Sequence, residues 1–397
     1  MNQVINNILK KFKRQLGGQL EAIYLFGSYA QGFYQEGESD INLFIVVEDG
    51  TNIHALRRNF LPIWEEHGDF LKRAPMIAPN SAFVRHMQIN PLLAHHIARD
   101  GKLLFGAPDF LESILPPLDV NEAYAHMTNE IMLASKALTP ELLEPDAVES
   151  TLKLLKRLVR RIRREPLTAL ESPTQLMSRV YHFINPILKR LPATREWRGT
   201  QPSPTTSPIL PGLQSIYKET GKMLLVFAQL TPQLIMRTDW SRLSESIGKQ
   251  YLGIEISSTV QLCLTATYER PLDIHFRKFE HNWGPDFLPT LTLAPRQIFR
   301  QAARLPSSIQ VDSLPNAVLS QDDNALHTII HDFQNKLLNV QLEHELLCRF
   351  KMVERFQPPE PLPGRDTPPK QRIDAIFQHL QWWADFYTDQ MQQHSES

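Results

Sequence analysis

Cysteine is nearly absent from this chain: Cys263 and Cys348 are the only two in 397 residues. They lie far apart and outside any metal-like spacing, which argues against a disulfide framework or a zinc site and leads us to expect a reducing, cytoplasmic setting. No charge dominates, since 42 Lys and Arg face 43 Asp and Glu for a net charge of −1. Attraction to nucleic acid or to an anionic membrane would therefore have to be local. Long apolar runs are missing too. Met223-Leu224-Leu225-Val226-Phe227-Ala228 is too short to span a bilayer, and Met1-Asn2-Gln3-Val4-Ile5 is too polar for a secretory core, so no membrane association is expected. No internal repeat is apparent.

What is present concentrates near the N-terminus. Ile23, Leu25 and Phe26 are strand formers that run into Gly27-Ser28-Tyr29-Ala30-Gln31-Gly32. A strand that stops at Gly-Ser and restarts as a helix aims backbone N–H groups and the Ser28 hydroxyl at one point, a setting that favours anions. Gly27 leaves room for a phosphate to approach the backbone.

A second strand is expected from Ile41, Leu43, Ile45, Val46 and Val47, preceded by Ser39-Asp40. Asp40 and Asn42 are two positions apart and so share a strand face, turned toward the Gly-Ser bend. Two carboxylates there would hold magnesium, which takes a few acidic oxygens and completes its shell with phosphates. Asn42 stands where that chemistry prefers an acid.

This pattern resembles the nucleotidyltransferase domain of the DNA polymerase beta superfamily, especially its small bacterial branch. Gly27, Ser28, Ala30, Gly32, Ser39, Asp40 and Leu43 carry the resemblance, with Ile97 to Gly106 as the helix-to-strand element that closes such domains. The resemblance implies nucleotide contacts at Gly27, Ser28, Gly32 and Ser39, with a metal and catalytic position at Asp40. Asn42 is then a weakened second ligand. It also implies a third carboxylate on a later strand, expected at Lys72 to Ala78, which contains none; Asp69 lies just before it.

Helical spacing of Val4, Ile5, Ile8, Leu9, Phe12 and Leu16, a helix from Thr51 to His67, and another capped at Asn80-Ser81 and interrupted by Pro91 complete the first segment. The fold class expected is an α/β N-terminal domain, a small mixed sheet with flanking helices, followed by mainly α-helical regions. We expect a nucleotidyltransferase-like domain over 1–108, a helical bundle segment over 120–192 and a proline-rich linker over 193–212. A mostly helical domain with strands near 254–267 would fill 213–357, its first part (Leu213 to Ile235) helical. A second proline-rich linker (358–370) leads to an amphipathic helix over 371–390, whose face of Ile373, Ile376, Phe377, Leu380, Trp383, Phe386 and Tyr387 is expected to pack on the parent domain.

Two further constellations bear on function. Lys153, Lys156, Arg157, Arg160, Arg161, Arg163 and Arg164 crowd one helix without an intervening acid, either as phosphate contacts or as a solvated face with long apolar stems. His327 and His331 share a helix face beside Asp332, without an obvious third ligand, and are expected to be ordinary surface or interhelical histidines. Three functions remain open. One is magnesium-dependent transfer of a nucleoside monophosphate from a nucleoside triphosphate to a hydroxyl acceptor. Another is an inactive nucleotidyltransferase-fold module that binds nucleotide or a protein partner. The third is a nucleic-acid-binding protein working through 153–164.

Overall fold

The structure is a computed structural model that describes residues 2–34, 39–163, 171–191, 210–219, 221–247, 251, 253–276, 279–291, 293–321, 325–355, 358, 361–364 and 366–394. The chain forms two compact units, one of Met1–Leu118 with Phe299–Ser397 and one of Asp119–Ile298. The stretch 213–357 is thus divided between the two units, and its first part joins 119–191.

The first unit begins with α1 (Asn2–Leu16), which buries Ile5, Ile8, Phe12 and Leu16 along one stripe. Each such side chain contributes about 1.5–3 kcal/mol when fully withdrawn from water. Strands β1 (Leu20–Phe26) and β2 (Asn42–Val47) follow, then α2 (Ile53–Leu71), β3 (Met76–Pro79), α3 (Asn80–Ile89), α4 (Pro91–Asp100) and β4 (Lys102–Phe105). The sheet order is β3-β2-β1-β4, with β2–β3 parallel and the other two pairings antiparallel. One sheet face carries Ile23, Leu25, Leu43, Ile45 and Ile77 against α1 and α2 residues. The opposite face carries Tyr24, Phe26, Phe44, Val46 and Ala78 against α3 and α4 residues. Both faces are covered, which explains the unbroken apolar reading of β2. A short helix, α5 (Phe110–Ser113), ends this part.

The second unit opens with α6 (Val120–Ala134), α7 (Pro145–Arg163) and α8 (Pro173–Leu188). Residues 213–227 then form a hairpin, β5 (Leu213–Glu219) and β6 (Lys222–Phe227), where the sequence led us to expect helix. The error has a physical source. β6 is buried on both sides, so its apolar run has no alternation to distinguish it from a buried helix. Only the end of the expected helix is helical: α9 (Pro232–Arg237), capped by the Thr231 hydroxyl accepting from the Leu234 N–H at 3.1 Å. Then come α10 (Trp240–Ile247), β7 (Ile254–Ser258), α11 (Thr259–Leu264), α12 (Pro271–Phe276) and β8 (Glu280–Trp283). The sheet order is β7-β6-β5-β8, with β6–β7 parallel and the other pairings antiparallel. The two sheets therefore share one topology, a repeat that sequence inspection did not reveal.

From Phe299, within α13 (Pro295–Ser308), the chain belongs again to the first unit, passing through a π-helical turn (Ile309–Ser313), α14 (Leu314–Ser320), α15 (Leu326–Arg349) and α16 (Pro369–Gln393). Val311 and Leu319 enter the two cores of the first sheet. α16 buries Ile373, Ile376, Leu380, Trp383 and Tyr387 within this unit. Among the described residues, no helix is long and apolar enough to cross a membrane.

Candidate functional site

The site forms where β1 and β2 end side by side. Phe26 and Asn42 are register partners, so the last residue of one strand adjoins the first of the next. Gly27 turns the chain at φ +78°, and a Cβ there would lie 2.8 Å from the Asn42 side-chain nitrogen. The positive φ favours glycine, and a Cβ would also push the Asn42 amide aside. The expected helix start after Gly27 is instead a hydrogen-bonded turn. The Gln31 N–H donates to the Gly27 carbonyl at 3.2 Å, that of Gly32 to Tyr29 at 3.2 Å, and that of Phe33 to Ser28 at 2.8 Å. The Gln31 amide donates to Asp100 on α4 at 3.1 Å, tethering the turn. Arg99 above all holds the Asp100 carboxyl down at about 2, with smaller help from Gln31 and His96.

Asn42 donates its side-chain N–H to Asp40 Oδ1 at 3.2 Å. Gly27, Asn42 and Asp40 are therefore contiguous. Ser28, Ser39, Asp40 and Asn42 are half-buried, and Gly32 is exposed on the rim. The later strand begins at Met76, and Phe44 pairs with Met76, so no carboxylate lies on it. Asp69 is exposed on the last turns of α2, in a shallow cleft with Trp64, Glu66 and Lys72.

One acid that feels the charge of Asp40 comes from far along the chain. Asp312, on the π-helical turn, forms an ion pair with Arg73 just ahead of β3. Burial raises the Asp312 carboxyl above its ordinary value, Arg73 opposes this, and the negative charge of Asp40 adds to the rise. The Ala74 N–H donates to Asn316 Oδ1 at 3.1 Å, fixing the same segment against the strand. No local pattern could have named Asp312, which lies 239 positions from Arg73. Among the described residues, no cluster of three or more His, Cys, Asp or Glu is arranged to hold a metal ion.

The basic helix is α7. Arg161 reaches Glu130 at 2.6 Å and Arg157 reaches it at 3.5 Å, while Lys153 pairs with Glu149 at 2.5 Å. The acids absent from the run are thus supplied by α6 and by the preceding turn. Lys156 is exposed, Arg160 is half-buried, and Arg164 and the Arg163 side chain lie outside the described residues. His327 and His331 are both exposed on α15. On that same helix, His344 Nε2 lies 3.4 Å from Cys348 Sγ, a neighbour that the sequence reading passed over. Burial lowers the imidazole and raises the thiol, which favours the neutral form of both.

Residues 5–98 match the family model of the nucleotidyltransferase domain. That segment is a nucleotidyltransferase domain. Among solved structures, the chain is similar to a mutant of the toxin–antitoxin MntA-HpeT (22% identity, 32% of this chain and 90% of that one, TM-score 0.21). It is likewise similar to a toxin–antitoxin with AMP-PNP (22% identity, the same coverage, TM-score 0.22). A third is the spectinomycin adenyltransferase AAD(9) from Enterococcus faecialis with ATP and spectinomycin (13% identity, 51% of this chain and 92% of that one, TM-score 0.30). No curated protein matches the chain.

Proposed function

We propose that the first unit transfers a nucleoside monophosphate from a magnesium-bound nucleoside triphosphate to a hydroxyl acceptor. The observation that carries this reading is the contact of Gly27, Asn42 and Asp40 at the paired ends of β1 and β2, inside a nucleotidyltransferase domain. Asp40 and Asn42 fit magnesium in a reduced form. One carboxylate and one amide face a half-open bend, and such an ion completes its shell with phosphate oxygens and water. Bound there, magnesium would offset phosphate charge and favour the leaving pyrophosphate.

The chain's own residues do the positioning. Gly27 leaves the backbone bare so that phosphate oxygens can approach. The Ser28 hydroxyl donates to them, and Gly32 and Ser39 border the same bend. Asp40 supplies the anionic ligand and Asn42 a neutral one.

A second reading has its own support. Asn42 spends its N–H on Asp40, the carboxylate that a metal would use, as expected of a domain that keeps the fold and binds nucleotide or a partner without turnover. The two readings separate in one assay. The full chain is incubated with magnesium and triphosphates labelled at the α-phosphate, with total RNA, small aminoglycoside-type hydroxyl acceptors and the protein itself as acceptors. Covalent label that falls roughly 100-fold in Asp40→Ala supports transfer. Nucleotide binding without label supports the inactive module. Label that persists in Asp40→Ala overturns the site. A polynucleotide role for α7 predicts binding that weakens steeply with salt and is lost on charge reversal at Lys156 and Arg160.

A further inference from the structure

The second unit repeats the first in more than strand order. The β1–β2 ladder shifts register between Leu20 and Ala22, and the β5–β6 ladder shifts between Leu213 and Ser215. The β1–β4 ladder shifts between Ile23 and Tyr24, and the β5–β8 ladder between Ile216 and Tyr217. Aligning these irregularities sets Leu20 to Phe26 on Leu213 to Glu219 without a gap. It also sets Asn42 to Val47 on Lys222 to Phe227. Register irregularities are specific features of a fold, and two coinciding pairs are hard to reach by independent routes.

The closing strand agrees. β4 ends in Phe105-Gly106-Ala107-Pro108-Asp109-Phe110-Leu111, and β8 in Trp283-Gly284-Pro285-Asp286-Phe287-Leu288. Gly106 and Gly284 both have positive φ, +115° and +81°. A Cβ at Gly106 would meet the Glu21 carbonyl at 2.7 Å, and one at Gly284 the Gln214 carbonyl at 1.9 Å. Glu21 and Gln214 are the corresponding bulge residues of β1 and β5. Tyr24 and Tyr217 also correspond. The correspondence stops at position: the Phe287 N–H donates to the Tyr217 hydroxyl at 2.8 Å, whereas the Tyr24 hydroxyl is buried without a hydrogen-bond partner among the described residues. The flanking elements follow in the same order, with α8 standing for α1, α9 and α10 for α2, and α11 and α12 for α3 and α4.

What the second unit lacks is the loop. Residues 27–41 join β1 to β2, whereas only Thr220 and Gly221 join β5 to β6. No counterpart of Gly27, Ser28, Ser39 or Asp40 remains, and Lys222 takes the register position of Asn42. The neighbouring strand has changed as well. Glu255, at the position of Met76, is almost fully buried and pairs with Lys136 at 3.1 Å and Arg270 at 3.6 Å. Two cations, Lys136 and Arg270, thus hold a carboxylate at a position where the first unit has the apolar Met76. Such a place repels magnesium and holds its own carboxylate in ion pairs.

We propose that the second unit is a degenerate second copy of the nucleotidyltransferase domain, its nucleotide loop excised and Lys222 standing at the position of Asn42, so that each chain binds a single nucleotide, in the first unit. The count of one rests on the reading of the first unit given above. Calorimetric titration of the full chain with magnesium and a non-hydrolysable ATP analogue tests it. The expected result is one analogue per chain, weakened roughly 100-fold by Gly27→Val or by Asp40→Ala, about 2.7 kcal/mol. Lys222→Ala and Lys136→Met leave affinity and stoichiometry as they were. Circular dichroism confirms that each variant is folded, and Asp40→Ala serves where Gly27→Val is not. Two analogues per chain, or binding that survives both first-unit variants and falls in Lys222→Ala, overturns the degenerate copy alone. No binding at all overturns the nucleotide reading of the first unit, and the count of one with it.

Discussion

Two sheets of the same order and the same irregularities end in opposite chemistry. In the first, β1 and β2 are joined by residues 27–41, and the Gly27–Asn42–Asp40 contact sits at their ends. In the second, the corresponding strands are joined by Thr220 and Gly221, and the neighbouring strand carries the buried Glu255, paired with Lys136 and Arg270. The comparison separates what the fold needs from what a site needs. Strand register, the bulge and the glycine after the last strand hold the sheet together and are present in both. The loop and its acid lie outside the ladders and are present once.

The strongest test of the shared framework is Gly284→Ala. Its Cβ would overlap the Gln214 carbonyl, at a φ that suits glycine, so a loss on the order of 3 kcal/mol in urea unfolding is expected. Gly106→Ala should cost less, because the clash is milder. Equal stability of Gly284→Ala and wild type would remove the glycine from the framework. The difference between the sheets is sharpened next by Asp40→Ala against Lys222→Ala. The first should reduce affinity for magnesium–nucleotide roughly 100-fold and the second leave it within about twofold, as read by calorimetry.

Acid sensitivity supplies a smaller contrast. His86 on α3 is fully enclosed, its ring nitrogen 2.8 Å from the Ser307 hydroxyl. Burial, with Arg85 beside it, lowers its pKa from 6.5 to about 3. A depressed imidazole favours the folded state above its unfolded value, and that contribution is lost as pH falls from 6.5 toward 3. The first unit should therefore lose stability across that window, and His86→Gln should flatten the loss in thermal melts taken from pH 7 to pH 4. An unchanged slope would assign the acid response to other groups. The smallest effect belongs to Arg161→Ala. Its partner Glu130 is mostly buried but the guanidinium is half-exposed, so about 0.5 kcal/mol is expected.

Much of the first unit was legible in the chain, because its signals are local. The stripe from Ile5 to Leu16 buries as its spacing requires, the break at Pro91 separates α3 from α4, and the apolar face from Ile373 to Tyr387 packs within its own unit. Gly27, Asp40 and Asn42 come together because the strand ends bearing them are register partners. The second unit was misread where both faces of β6 are buried. There, composition no longer reports period. Its kinship with the first sheet was missed because most of the shared features are register shifts and one glycine conformation; the side-chain trace is confined to a few residues such as Gly106-Ala107-Pro108-Asp109-Phe110-Leu111 against Gly284-Pro285-Asp286-Phe287-Leu288.

The sequence by itself determined the bend, the acid beside it and the amide two positions on, since residue type and a spacing of two decide those. Only the tertiary structure decided that Asp312 would share the field of Asp40, that Glu130 would neutralise Arg161, and that residues 213–283 would rebuild the first sheet without its loop. Each of these depends on segments far apart in the chain being brought together. Electrostatic and packing energies depend on distance in space, not along the chain.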